Sequence, residues 1–363
     1  MPRRTATLLT STLLLVGLLC AGLLVRVPYA EMSPGPTVDT LGEHDGEPVL
    51  SIGGERTYDS EGHLNMTTVR VTGVDYRMNL LEAVAGWFAE DRAVVPYETL
   101  YPEAVSADQV EQRNAADFTR SQESAKVAAL RELGYEVGEQ TIVGAVVEGG
   151  PAEGLLDAGD AIVAVDGTEV AAPEQVAELV TRHEPGEEAV FTVVPADRAQ
   201  EALDAGEELP EETEEVTVTT GEAEDDGRAI VGIQAGVAHT FPFEIDIELA
   251  DVGGPSAGLM FALGLIDRLT EDDLTGGAFV AGTGTIDAEG RVGPIGGVSM
   301  KTIAARDAGA EYFLTPLDNC VAASANVPDG LRLVPVETLD DALAALRGIR
   351  AGQADGLPEC PTR

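Results

Sequence analysis

Two residues of this sequence stand where acyl-transfer chemistry could begin. Ser256 lies in Gly253-Gly254-Pro255-Ser256-Ala257-Gly258, and Lys301 follows Pro294-Ile295-Gly296-Gly297-Val298-Ser299-Met300. Paired glycines admit backbone angles that other residues resist, and proline fixes the next one. The residues from Leu259 to Leu269 are apolar and numerous enough for a mostly buried helix. Ser256 therefore sits where a tight turn enters a helix. Unbonded N–H groups and the positive end of the helix dipole collect there. Gly254, Pro255 and Ala257 would shape that turn and an oxyanion site beside the hydroxyl. The simpler alternative is that Ser256 only caps the helix, as serines often do.

A serine hydroxyl needs a partner to take its proton. The chain has four histidines, His44, His63, His183 and His239, and none lies in a motif. A Ser-His-Asp triad therefore has no support. Lysine is the better candidate. Positive residues are scarce, 22 Lys and Arg against 64 Asp and Glu. Lys301 opens an apolar-periodic run in which Ser299 would be a natural N-cap. The first turn of a helix repels a cation. Burial among Val298, Met300 and Ile303 adds to that repulsion. Together the two effects predict a pKa brought down from about 10.4 to roughly 7–8, the range of a general base. The alternative is an ordinary lysine on an exposed helix face.

The combination resembles the proteolytic domain of the Lon family of serine proteases. Gly254-Pro255-Ser256-Ala257-Gly258 is similar to that family's serine turn. Pro294-Ile295-Gly296-Gly297, followed four residues later by Lys301, is similar to its lysine motif. Thr283-Gly284-Thr285-Ile286-Asp287 and Pro316-Leu317-Asp318-Asn319 match two further motifs in the same order. The resemblance implies a Ser-Lys dyad of Ser256 and Lys301, with the Thr283 hydroxyl beside the lysine. One departure stands out. The family's aspartate three residues before the serine is Gly253 here, which puts the shape of that loop in question. The same glycine is expected in smaller Lon-like proteases without an ATPase.

Other elements must carry and position these residues. Arg3 and Arg4 precede an uncharged run from Thr5 to Val25. At about 1.5 Å per residue, such a helix matches one hydrocarbon core. Residues 1–30 read as an uncleaved transmembrane anchor with the rest of the chain outside the cell, and a cleaved signal peptide is the competing assignment. Residues 31–134 read as strands, then helices. In the helical part Leu80, Leu81, Val84, Trp87 and Phe88 recur at helical spacing, with Trp87 as a buried anchor. Ser121-Gln122-Glu123-Ser124-Ala125 is similar to the first helix of the Lon proteolytic domain. The protease fold therefore begins upstream and is interrupted.

The interruption is residues 135–221. Gly150-Pro151-Ala152 and Gly159-Asp160-Ala161-Ile162-Val163-Ala164-Val165-Asp166-Gly167 resemble a PDZ domain of the bacterial protease type. Such domains add an extended peptide to a free sheet edge. Val143, Ala145 and Val147 are the expected edge, with pockets from a helix at Pro173 to Thr181. Arg198 to Glu215 reads as a solvated hairpin tip. Residues 228–348 resume the proteolytic part, opening with strands at Ile230 to Ile233 and Phe243 to Leu249, and 349–363 form a polar tail. Cys320 and Cys360 would share an oxidising compartment, where they could pair.

Composition narrows the function. A net charge of −42 disfavours nucleic acid and anionic lipid. There is no G-x-x-x-x-G-K-[S/T] phosphate loop, so ATP is not an expected cofactor, and no His/Cys cluster suggests a metal. The expected fold is α+β, a Lon proteolytic domain with an inserted PDZ domain and an N-terminal membrane helix. The expected function is an ATP-independent, extracytoplasmic serine endopeptidase, in a homo-oligomeric ring or not, acting on unfolded proteins or peptides. The alternative is an inactive scaffold whose PDZ domain binds protein tails at the membrane.

Overall fold

The computed structural model describes residues 3–101, 106–206, 209–250 and 252–361. Asp251, which heads the serine turn, and Glu207 and Glu208 of the acidic stretch lie outside the described residues. So do Met1, Pro2, 102–105 and the end of the tail at 362–363. The chain forms two units. One comprises Met1–Ser51, Arg56–Ala129 and Asp246–Arg363, and the other Ile52–Glu55 and Leu130–Ile245.

The first unit begins with helix α1, Arg3–Leu24. Its stretch Thr7–Leu24 is long and apolar enough to cross a membrane, and most of its side chains are exposed. Strand β1 (Tyr29–Asp39) pairs antiparallel with β2 (His63–Val71), with a bulge between Pro34 and Thr37. Helix α2 (Leu80–Trp87) starts with a reciprocal cap between Asn79 and Glu82. Strand β3 (Ala93–Pro96) adds to the other side of β1. Trp87 corrects the sequence reading. It is 53% exposed and packs at nearly a right angle to the Tyr29 ring, centroids 5.3 Å apart. The inward face of α2 belongs to Ala83 and Gly86, whose small size lets the helix lie flat and leaves the indole outside. Helix α3, Ala107–Glu132, runs on from the first unit into the second.

The second unit is built on strands β4 (Gly138–Val146) and β5 (Ala161–Val165), helix α4 (Pro173–Val180), and strands β6 (Glu188–Val194), β7 (Glu214–Thr219) and β8 (Ile233–Thr240). The sheet order is β7-β6-β5-β4-β8. Its core gathers Val143, Ile162, Val165, Val176, Val180 and Phe191. Two expectations fail here. The PDZ-like part does not stop at 221, because β8 pairs with β4 from Ile233↔Val146 to Thr240↔Gly138. For the same reason Val143, Ala145 and Val147 are not a free edge. Val143 and Ala145 face Ala235 and Gln234, and Val147 N–H donates to the Gly232 carbonyl at 2.8 Å. The open edge passes to β8, a strand that sequence reading assigned to the proteolytic part. The acidic stretch also differs. Ala196–Ala205 is helical, ended by Gly206 at φ 66°, and it buries Ala199 and Ala202.

The chain then returns to the first unit. Helix α5, Gly258–Leu269, is buried nearly all round. Leu259, Met260, Phe261, Leu263 and Leu265 are fully covered, each stabilising the fold by about 1.5–3 kcal/mol relative to exposure. Strand β9 (Phe279–Gly282), helix α6 (Val298–Ala308), strand β10 (Tyr312–Pro316) and strand β11 (Arg332–Val336) complete the unit. The six-stranded sheet runs β11-β10-β9-β2-β1-β3. Strands β2, β9, β10 and β11 are mutually parallel, and β1 is antiparallel to both its neighbours. Cys320 and Cys360 form a disulfide, Cα atoms 5.3 Å apart.

Candidate active site

The serine turn is set by close backbone approaches. Gly254 takes φ 86°, a conformation that favours glycine, and its N–H donates to the Asn114 carbonyl on α3 at 2.9 Å. A Cβ at Gly253 would lie 2.9 Å from Asn114 Cβ, closer than carbon atoms pack. That contact accounts for glycine where the resemblance expects aspartate. Ser121 Oγ donates to the Pro255 carbonyl at 3.0 Å and holds the turn from the same helix. Ser256 is not the helix cap. Ala257 occupies that position, with no side-chain hydrogen bond. The amides of Ser256 and Ala257 donate to no other described residue, whereas that of Gly254 is already used. Pro255 has no N–H to offer.

Lys301 reaches this turn from α6. The helix begins two residues earlier than Ser299 would set it. Its cap is Gly297 at φ 70°, and the amides of Met300 and Lys301 already donate to the Gly297 carbonyl. Lys301 is thus the fourth helical residue, still within reach of the positive end of the dipole. Its Nζ lies 2.6 Å from Ser256 Oγ and 2.9 Å from Thr283 Oγ1. Thr283 in turn donates to the Ser256 carbonyl at 3.0 Å. That bond consumes the threonine proton, so Thr283 presents only lone pairs to the amine. An amine donating to Thr283 can then aim its own lone pair at the serine hydroxyl.

Lys301 is 2% exposed. Burial lowers its pKa from 10.5 to about 7. The four histidines are engaged elsewhere. His44 is paired with Asp45, His63 with Asp39 and His183 with Asp166, and His239 stacks on Phe241. The hydroxyl and amine open into a cavity of about 450 Å³ lined by Pro36, Thr68, Arg70 and Val252 among others. A side pair steadies the lysine loop. Ile295 N–H donates to Asn319 Oδ1 at 2.8 Å, and Asn319 Nδ2 returns a bond to the Ile295 carbonyl at 2.9 Å.

Residues 250–347 match the family model of the Lon protease (S16) C-terminal proteolytic domain. Over these residues the chain is similar to a Lon-type proteolytic domain. Over 93 residues it is 40% identical to a Lon protease of Azospirillum brasilense and 41% identical to Lon protease 1 of Myxococcus xanthus. Each match covers 25% of this chain and 11% of the relative. The chain thus spans about a tenth of the length of the curated relatives it matches. Among solved structures, a PDZ domain of an SdrC-like protein from Listeria monocytogenes aligns with 17% identity and a TM-score of 0.21, over 26% of this chain and 86% of that one.

Within the matched residues, sequence reading named Ser256, Lys301, Thr283 and Asn319, and the fold brings the first three into mutual contact. It missed Asn114. That residue acts through its backbone carbonyl and the bulk of its Cβ, for which no sequence pattern exists. The second unit has its own groove, about 480 Å³, between α4 and the start of β8. Val176, Ala177 and Val180 line one side, and Ile230, Gly232 and Ile233 the other.

Proposed function

We propose that this chain is a serine endopeptidase in which Ser256 is the nucleophile and Lys301 the general base. The observation that carries the reading is a buried amine 2.6 Å from a serine hydroxyl at a helix entrance. Neutral Lys301 takes the hydroxyl proton as Ser256 Oγ bonds to the peptide carbonyl carbon. The amides of Ser256 and Ala257 receive the oxyanion. Lys301 then gives the proton to the departing amine as the C–N bond breaks. Water then attacks the acyl carbon while Lys301 accepts its proton, and Lys301 passes that proton to Ser256 Oγ as the acyl C–Oγ bond breaks.

Thr283 orients the amine without touching substrate. Thr283→Val should lower kcat roughly tenfold at nearly unchanged KM, and Thr283→Ser should restore it. A change confined to KM would count against the orienting role.

The N-terminal helix supports an anchor, with the proteolytic domain on the outer face of the membrane. The sequence has no phosphate-binding loop, which favours ATP-independent cleavage of already unfolded segments. The groove beside β8 suits an extended peptide added as a strand, its apolar side chains against Val176 and Val180. A serine-directed phosphonate tests the whole reading against the inactive-scaffold alternative. Covalent label should appear on Ser256 of the intact protein, found by peptide mass mapping. Folded protein that takes no label, or takes it on another serine, would refute the assignment.

A further inference from the structure

Helix α2 carries a face that the fold leaves uncovered. Leu80, Val84, Trp87 and Phe88 are exposed by 39%, 36%, 53% and 85%, while Ala83 and Gly86 are buried. The exposed positions follow helical spacing, so they form one stripe. Beyond α1, eleven large apolar or aromatic side chains are exposed among the described residues, and six of them fall between Val71 and Phe88. Scattered apolar side chains are ordinary, but a gathered patch marks a contact.

The position of the stripe says what covers it. Val27 N–H donates to the Met78 carbonyl at 2.9 Å, and Leu80 N–H donates to the Val25 carbonyl at 3.0 Å. Leu81 packs so closely on Gly22 that a Cβ there would lie 2.8 Å from Leu81 Cγ. Helix α2 is therefore fixed to the last turn of α1, where an apolar span leaves the hydrocarbon. Tryptophan and tyrosine concentrate at that level of a bilayer. Tyr29 packs on Trp87, and Tyr76 is 46% exposed. Scarce cations gather here too. Arg26 Nη1 donates to the Arg77 carbonyl at 2.8 Å, and the Arg77 guanidinium sits 3.8 Å from the Tyr97 ring centre. With a net charge of −42, attraction to anionic headgroups cannot seat the chain, which leaves apolar insertion as the driving term.

We propose that the Leu80–Val84–Trp87–Phe88 face is a second membrane contact, lying in the headgroup–acyl boundary of the leaflet in which α1 ends. Two attachments then fix the tilt of the first unit over the bilayer, which a single helix would leave free. This rests on α1 remaining as an uncleaved span.

Trp87 is the only tryptophan, so its emission reports this face alone. The full chain is reconstituted in phosphatidylcholine vesicles carrying a nitroxide either near the glycerol end or near the methyl end of the acyl chain. The shallow nitroxide should lower Trp87 emission roughly twofold and the deep one far less, as expected for insertion of about 5–10 Å. Val84→Ser combined with Phe88→Ser should weaken that quenching while the protein still sediments with vesicles after an alkaline wash. Protein that resists the wash but ignores both nitroxides overturns the contact and leaves the anchor standing. Protein released by the wash overturns the anchor and this proposal with it. Emission that ignores nitroxide but follows protein concentration would assign the face to a second copy of the chain, and also overturns the proposal.

Discussion

Lys301→Met is expected to lower kcat/KM against an unfolded protein by about ten-thousand-fold, and Ser256→Ala by a similar factor. The two act as one unit, since the hydroxyl is a poor nucleophile without the amine and the amine has no other proton to take. The double variant should therefore be little worse than either single one. A residual rate only tenfold down in Lys301→Met would remove the lysine from the mechanism. The same substitution carries a second signature of opposite sign. Lys301 titrates at about 7 in the folded chain against 10.5 when unfolded. Between those values the unfolded chain binds one more proton than the folded chain, so stability rises with pH across the window. Below about 7 both states are protonated and the full cost of burying the charge remains. Methionine of similar length removes that cost. Lys301→Met should thus be more stable than the parent by a few kcal/mol near pH 6, read as a higher midpoint in urea. The gain should shrink steadily from pH 7 towards pH 10.

The second large effect is on rate as a function of pH. Only the neutral amine can accept the serine proton. kcat/KM should climb through an apparent pKa of about 7, set by burial of Lys301. Two units below that midpoint the base is about 1% neutral, so activity at pH 5 should be about a hundredfold below its plateau. Imidazole titrates nearby, so the identity of the base needs a further handle. The midpoint should move with temperature as an amine does, more steeply than imidazole. It should also persist when His63, the histidine on β2 of the first unit, is replaced by glutamine. A flat profile from pH 5 to 9 would contradict a buried neutral lysine.

The meeting of Ser256 and Lys301 was legible in the sequence because the turns that carry them are local. Gly254-Pro255-Ser256-Ala257-Gly258 dictates a turn into a helix, and Pro294-Ile295-Gly296-Gly297 dictates another ahead of Lys301. The fall in lysine pKa was readable for the same reason, since apolar neighbours in sequence became neighbours in space. Ser299 misled because hydroxyl caps are common, whereas Gly297 at positive φ had already turned the chain. Errors of longer range have a different origin. The β8 strand was given to the wrong unit because an eight-residue pairing across Gly138–Val146 leaves no trace in local pattern. A strand that closes a sheet looks the same in sequence whichever sheet it closes. Trp87 failed through a prior that large aromatics go inside, whereas Ala83 and Gly86 take the inward face of its helix.

The bond between Cys320 and Cys360 closes a loop of 40 residues around β11 and the helix Leu339–Arg350. Tethering of that length removes disorder from the unfolded chain equivalent to about 3–4 kcal/mol. One end of the tether is the residue after Asn319, the side chain that grips Ile295 from both sides. Fraying that starts at the tail is therefore stopped at a covalent knot before it reaches the lysine loop. Thiol reductants, which leave Ser256 and Lys301 untouched, should therefore act by loosening the frame that holds the amine.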